Sequence, residues 1–578
     1  MYNFFGRLGY RQFLKQVAIK STKEAIIEQD NNMTYSEVND KIKRIAYYLK
    51  ENDIQKNDKI IVYMENSANA VCTLMAISMI GAIAIPLSLK IPTKRLKEIY
   101  YDYDVVGVIY IGKNNELIGC NVLDVSRAKD MMLEEIVDNE NFIFIFTSSS
   151  TGKAKGGILK QEGVWNSIQG KIEVLQLNEE DIFIQSMNIG FVASLWQMFT
   201  PLVLGAVLHI IPEEEYTNPY LLFQATERSR ATVLTVIPSL LRLFCEYTKI
   251  HKKVLSLVTL KVIVTTGQML PVGTVREYYS LYNIPLVNAY GQSECSDDTF
   301  HYRVPKNFEG KFIPIGKPVR NFKVMIDWKN QDEHIGELLI SGVGVIERYV
   351  NDDMLTNERF VELRGRTYFK TGDIVQVNDD GEYVFLGRID NMIKIRGHKV
   401  YPEEIESYLS NVDGVELAIV LDDEKAGEKF LEVIYCGEEH MEDKIKADLI
   451  QQFPEYMIPS KIHYLKNMPY NTSGKIDRQA LKRNLKKIVN VISNNTIKED
   501  REEISSIVKN YLEENSLVEL NDDWQGKTFD ENGIDSLLFM KIIIMLEEKL
   551  DVVFEDEFLL MGTYSNISDF LQKVEGIR

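Results

Sequence analysis

The sequence predicts an α/β protein built as a large multi-part body, a small α/β unit behind it and a short all-helical bundle at the end. Three observations carry this expectation. The chain of 578 residues is too long for one core, so roughly two to four domains are expected. From Thr34 to Thr265 strand-like and helix-like apolar patterns alternate, as they do where a sheet is covered on both faces. The last segment, 499–578, is helical in pattern and holds 20 Asp and Glu against 7 Lys and Arg, net −13 of the −19 of the whole chain. Such a concentration of acid marks a separate unit, either one that docks on basic surfaces or simply a solvated acidic domain.

Taken in order, Thr34-Tyr35-Ser36-Glu37 opens a stretch with Val38, Ile42, Ile45, Ala46 and Leu49 at helical spacing. Lys59–Tyr63 reads as a strand, an apolar helix follows Asn69, and 82–86 reads as a further strand. The alternation continues through 203–211, 232–237 and 261–265. From Glu337 the pattern becomes short strands separated by Gly and Asp-Asp-Gly turns, a β-rich unit running to Gly387. Arg388-Ile389-Asp390-Asn391 then leads into a small α/β unit that ends near Leu481, and 484–500 is polar and aperiodic, a linker. The expected boundaries are 1–389, 390–483, a 484–498 linker and 499–578. No internal repeat is present.

The stretch around which the body is organised is Ile145–Gly157. The apolar run Phe142–Phe146 reads as a buried strand, and it breaks into Thr147, Ser148, Ser149, Ser150, Thr151 and Gly152, followed by Lys153 and Lys155. Hydroxyls, backbone N–H groups freed by glycine and two ammonium groups are what a polyphosphate requires. A Walker A loop is excluded, because Thr147 stands where its first Gly is needed and Ala154 follows Lys153. Taken alone, the stretch reads equally as a solvated turn.

Composition narrows the class. A net charge of −19 argues against non-specific binding to nucleic acid. The five cysteines are scattered, with no CxxC pair, and read as reduced core thiols rather than a disulfide framework or zinc site. The first residues lack the layout of a signal peptide. The uncharged 70–85 stretch is too short to span a bilayer and is punctuated by Gly81 and Pro86, so no membrane association is expected. A cytoplasmic enzyme is expected.

Seven stretches in series then resemble the adenylate-forming superfamily, specifically nonribosomal peptide synthetase adenylation domains fused to a carrier protein. They are 147–156, NAYGQSE at 288–294, GELLISGVGVIERY at 336–349, YFKTGD at 368–373, GRIDNMIKIRG at 387–397, NTSGKIDRQAL at 471–481 and NGIDSL at 532–537. The resemblance covers nearly the whole chain and implies ATP, Mg²⁺ and a 4′-phosphopantetheine on Ser536. It implies that Ser293 and the 147–153 loop face the phosphates, with Asn288, Ala289 and Gly291 beside them. Tyr290 would stack on adenine, Asp373 and Arg388 would contact the ribose, and Glu294 with Thr147 would hold the metal. Lys475 would bridge the substrate carboxylate and the α-phosphate as a mobile point charge. It can reach them only if the small unit closes over the body, with a hinge at Asp390. Each residue also has an ordinary reading: Tyr290 as core packing, Asp373 as a turn residue, Glu294 as a helix-start acid, Asp535-Ser536 as a helix cap. Ser149 and Ala154 depart from the family's usual Gly and Pro, and neither change threatens the chemistry.

The positions that match the family's acyl pocket are Val192, Ala193, Trp196, Thr235, Val264, Thr266, Ala289, Asp297 and Asp298. Val192 replaces the Asp that pairs with an α-ammonium, and an unpaired ammonium in an apolar pocket would cost several kcal/mol. A standard α-amino acid is therefore disfavoured. Asp298 resembles its counterpart in members that take β-alanine, which points to a β- or ω-amino acid, and Asp297 is expected to face solvent. Aryl, keto or hydroxy acids, an acyl-CoA ligase activity (Val400-Tyr401-Pro402 resembles ligases) and a non-catalytic binding module are the alternatives. Intact Lys475, Glu294 and Asp373 count against the last. The expected partners are the small carboxylic acid, a phosphopantetheinyl transferase and a downstream condensing or transferring enzyme.

Overall fold

Thr34 starts the first long helix, Tyr35–Glu51, through a reciprocal cap. Its hydroxyl accepts the Glu37 N–H and the Glu37 carboxylate accepts the Thr34 N–H at 2.7 Å. Val38, Ile42, Ile45, Ala46 and Leu49 form the buried face that the spacing predicts. The computed structural model describes residues 9–576 apart from 30, 111–116, 118, 148–154, 252–255, 331–333, 396–397, 426–427, 466–467, 470–475, 477, 479–480, 483–503, 516–519, 521–522, 533, 535, 551, 553 and 555.

The alternating pattern is divided between two sheets. In the six-stranded one the order is Val122–Leu123, Val105–Ile109, Lys59–Tyr63, Ile83–Leu87, Asn141–Thr147 and Lys155–Lys160. All its pairings are parallel except the last, an antiparallel hairpin that brackets residues 148–154. The nine-stranded sheet runs Lys317–Pro318, Asp297–Val304, Leu286–Gln292, Val262–Thr265, Val233–Val236, Ile182–Gln185, Val207–Ile210, Glu24–Glu28 and Asn31–Thr34. The Ala68–Met79 helix is buried along nearly its whole length between elements of the body, which is why it carries no charge. No helix among the described residues is long and apolar enough to cross a membrane. Cys72, Cys245, Cys295 and Cys436 are buried free thiols and Cys120 is half-buried.

Phe322–Asn330, Ile335–Gly342, Arg366–Val377, Phe360–Leu363 and Tyr383–Arg388 form the β-rich unit, antiparallel throughout; it begins one strand earlier than the expected Glu337. Beyond Asp390 a two-stranded sheet (Ile393–Ile395 and His398–Val400) and a three-stranded one pack with the helices Pro402–Leu409 and Glu442–Gln452 around their own apolar cluster. The end of the chain is helical, with Ile504–Asn515, Ser536–Leu550 and Ile567–Glu575 as its main helices. Its apolar residues continue the cluster formed by Tyr216–Tyr282 of the body. Asn218 Nδ2 donates to the Leu559 carbonyl at 3.1 Å, and Lys541 Nζ to the Met468 carbonyl at 3.4 Å. The expected linker at 484–498 lies outside the described residues.

Candidate active site

The Leu286–Gln292 strand carries Asn288, Ala289, Tyr290 and Gly291 to the carboxyl edge of the nine-stranded sheet, and a single turn of 3₁₀-helix, Ser293–Cys295, follows. The chain then returns antiparallel as Asp297–Val304, with a register shift at Tyr290/Gly291. Gly291 is required there, since a Cβ would sit 2.0 Å from the Asp297 carbonyl oxygen. Ser296 and Asp297 close the turn with φ of 62° and 95°, the left-handed side that L-residues occupy only when their surroundings impose it.

Asp373, expected to contact the nucleotide, is buried and fully engaged. Tyr290 Oη donates to its Oδ2 at 2.5 Å, Gln292 Nε2 to the same oxygen at 2.6 Å and Arg388 Nη1 to Oδ1 at 2.8 Å. Burial raises the Asp373 pKa above the usual carboxylate range, against the pull of Arg388, while burial and Asp373 together hold the Tyr290 phenol protonated. Asn288 Nδ2 donates to the Pro314 carbonyl at 2.9 Å and so anchors the strand. Glu294 accepts from Tyr349 Oη at 2.8 Å. A cavity of 330 Å³ lined by Glu337, Arg359, Lys370, Gly372 and Asp390 opens beside this cluster.

Of the predicted phosphate loop, Ser148, Ser149, Ser150, Thr151, Gly152 and Lys153 lie outside the described residues, as does Lys475. Thr147 ends one strand of the hairpin and Lys155 begins the other. Ser536 opens the Ser536–Leu550 helix, the position the sequence assigns to it.

Among the residues expected to line the acyl pocket the structure corrects one expectation. Asp297 does not face solvent; it is buried, as is Asp298. The reason is Lys171, from the Gln161–Leu175 helix, whose side chain is 0% exposed. Its ammonium forms a short hydrogen-bonded ion pair with Asp297 Oδ2, stands 3.0 Å from Asp298 Oδ2 and lies 4.8 Å above the Trp196 ring. Thr266 Oγ1 donates to Asp298 Oδ1 at 2.7 Å. Burial opposes the charge on Lys171, but the two carboxylates outweigh it and its pKa is raised. Burial and then Asp298 push the Asp297 pKa up to about 7 despite Lys171. His301, paired across the strands with Ala289, is pushed down to about 4 by burial and is neutral.

Of the other expected pocket residues, Trp196 and Thr266 contact this group directly. Trp196 lies one helical turn beyond Val192 and Ala193 at the start of the Ala193–Leu204 helix, and Val264 and Ala289 belong to the same apolar cluster. Trp196 Nε1, Thr235 Oγ1 and both His301 ring nitrogens are buried without a hydrogen-bond partner among the described residues. Sequence reasoning missed Lys171, Gln292, Tyr349 and His301. No local signal marked Lys171, because its helix also carries Gln161, Glu162, Asn166, Gln169 and Glu173 and a lysine among them reads as solvated.

Residues 13–350 match the model of the AMP-binding enzymes, and 506–574 match that of the phosphopantetheine attachment site. The chain belongs to the AMP-binding enzyme family. It is an adenylate-forming ligase whose second unit is a carrier domain, with ATP, Mg²⁺ and 4′-phosphopantetheine as its cofactors. Such a carrier implies a phosphopantetheinyl transferase to load it. Zwittermicin A synthase ZmaJ of Bacillus cereus is 29% identical over 81% of this chain and 93% of its own length. Gramicidin S synthase 2 of Brevibacillus brevis is 29% identical over 83% of this chain, which spans only 11% of that protein. Among solved structures, Klebsiella oxytoca NpsA in complex with 3-hydroxyanthranilyl-AMSN superposes with a TM-score of 0.74 at 22% identity over 83% of this chain and 99% of NpsA. The four-domain synthetase holo-AB3403, bound to AMP and glycine, gives 0.72 at 22% identity over all of this chain and 43% of that one. These likenesses establish the fold of the adenylation enzyme and of its carrier.

The donor set on the nucleotide side fits the family's cofactors. Asp373 already binds two neutral donors on one oxygen, the arrangement a pair of ribose hydroxyls can take over. No group of three metal-ligating side chains occurs among the described residues. A single carboxylate such as Glu294 would be enough for Mg²⁺, which keeps several waters and takes its remaining oxygens from phosphate.

Proposed function

We propose that this adenylation–carrier protein activates a small acid bearing a cationic amine beyond its α-carbon, a β- or ω-amino acid, and loads it onto its own carrier at Ser536. In the first half-reaction a carboxylate oxygen of the acid attacks the α-phosphorus of ATP and pyrophosphate leaves. In the second the acyl group passes from AMP to a thiol, with loss of the thiol proton. Pantetheine attached to Ser536 supplies that thiol. Asp373, Tyr290, Gln292 and Arg388 hold the nucleoside end, and Glu294 would hold a Mg²⁺ whose charge would offset that of the phosphates. Lys475 spans the carboxylate and the α-phosphate, where one preorganised electrostatic group is worth roughly 10²–10³ in rate. The 3₁₀ turn and the bulge at Gly291 fix Glu294 and the acyl side relative to each other. The loaded acid then passes to a downstream condensing or transferring enzyme.

One observation carries the substrate class: two buried carboxylates, Asp297 and Asp298, face a single buried cation, Lys171, while Val192 offers nothing to an α-ammonium. One negative charge is left over, and a substrate ammonium balances it. A second reading rests on the unpartnered Trp196 Nε1, Thr235 Oγ1 and His301, which suit the uncharged polar group of an aryl or hydroxy acid. NpsA, which resembles this chain in fold, was captured with such an aryl compound.

The test is ATP–pyrophosphate exchange over a panel that pairs each amino acid with its amine-free isostere and includes benzoates. Intact-protein mass spectrometry follows loading, with Ser536→Ala as the control. β-Alanine or a longer ω-amino acid should lead the panel, and only the unmodified carrier should gain acyl mass. Benzoates at the head of the panel would overturn the substrate class. Acyl mass on the Ser536→Ala protein would overturn the carrier assignment.

A further inference from the structure

Lys171 belongs to none of the stretches that identify the family, yet it is the most completely buried cation of the acyl side. Its ammonium meets Asp297 and Asp298 together and rests on the face of Trp196. Removing such a group from water is expensive unless every charge nearby is matched. Here the match is incomplete: the two carboxylates outnumber the ammonium, His301 is neutral, and Thr266 contributes only a hydroxyl. The left-handed turn at Ser296–Asp297 supplies the second acid.

From this geometry we propose that Lys171 is a specificity-determining residue of the acyl pocket. It pins Asp297 and Asp298 side by side and neutralises one of them, so that the pocket presents one carboxylate charge, matched to a substrate with one amine beyond the α-carbon. The inference rests on the amino-acid reading above for the identity of the substrate. Its core, that preference follows the pocket's charge count, is separable. Lys171 acts through the carboxylates; it is a positioning residue, and no bond to substrate is required of it.

The experiment compares kcat/KM in pyrophosphate exchange for β-alanine and for butanoate, its amine-free isostere, in five proteins. Asp297→Asn leaves one acid and one cation, so the amine-to-isostere ratio should fall roughly tenfold or more. Lys171→Met leaves two acids, and the ratio should rise. The double variant Lys171→Met/Asp297→Asn restores the single uncompensated carboxylate, and the ratio should return to within about threefold of the unmodified enzyme. Lys171→Arg keeps the charge and should keep the ratio. If Lys171→Met alone fails to fold, the double variant and Asp297→Asn still decide the matter, because the double variant strands no second acid. An equal ratio in Asp297→Asn and in the double variant would show Lys171 to be merely structural. An unmodified enzyme that prefers butanoate would sink the amino-acid reading alone; the role of Lys171 would still stand or fall on whether the ratio drops and recovers.

Discussion

A single residue, Asp297, is the group expected to give the site a pH response. Its carboxyl faces Lys171 from the Gln161–Leu175 helix and Asp298 on its own strand, with Trp196, Thr266 and neutral His301 around them. Burial and Asp298 place its pKa at about 7. Below that pH it takes up a proton, the uncompensated negative charge disappears, and an amine in the pocket loses its partner. The ratio of kcat/KM for β-alanine over butanoate should therefore fall as pH drops from 8 to 6, and the same profile should be flat in Asp297→Asn. A profile unaffected by that substitution would assign the titration to another group. Alanine or asparagine at Asp373 would blur nucleotide binding as well, which is why Asp297 is the cleaner probe.

Among the elements, the Ser536–Leu550 helix is the most exposed to a single buried acid. Ser536 opens it, and Glu547, near its other end, is 3% exposed and accepts the Phe554 N–H at 2.7 Å. Burial pushes the Glu547 pKa up to about 7, against the lowering effect of that hydrogen bond. A pKa raised on folding means that the folded state favours the protonated form. This contribution to stability is full below the unfolded value of about 4.3 and is lost as pH rises through about 7. Glu547→Gln keeps the acceptor for Phe554 without the charge. At pH 8 it should slow amide hydrogen exchange across 536–560 relative to the unmodified protein, and at pH 5 the two should match. Slower exchange at both pH values would mean that packing, not ionisation, limits the helix.

At the scale of the whole molecule the chemistry has to be shared between units. Contacts between the small unit and the body include Lys311 Nζ to Gln452 at 2.6 Å, Asn411 Nδ2 to the Lys311 carbonyl at 2.9 Å and Arg242 to Glu416 at 3.8 Å, with Tyr401 packed against Leu386 as a small apolar contact. Interfaces of that kind reorganise readily. If Lys475 serves the first half-reaction only, Lys475→Ala should reduce pyrophosphate exchange by about 10²–10³ or more. Thioester formation from a supplied acyl adenylate should survive the substitution. Equal loss of both half-reactions would count against a domain rotation between them.

The sequence by itself determined the elements and the series of motifs. Strand 141–147, the capped 35–51 helix and the turn-rich 337–387 sheet are written in local periodicity and in residues a few places apart, which a linear reading sees directly. Tyr290, Glu294, Asp373 and Ser536 are nominated for a different reason, since each sits in a short stretch whose order along the chain is itself the signal. Tertiary structure decided how the alternating strands divide between two sheets, because strand neighbours such as 24–28 and 207–210 are set by long-range pairing. It also decided the fate of the Asp297-Asp298 pair. Asp297 reads locally as solvated beside a pocket-facing Asp298, but its counter-ion arrives from a helix 126 residues earlier in the chain. Burial made that ion pair necessary, and no local pattern records a contact made at such a distance.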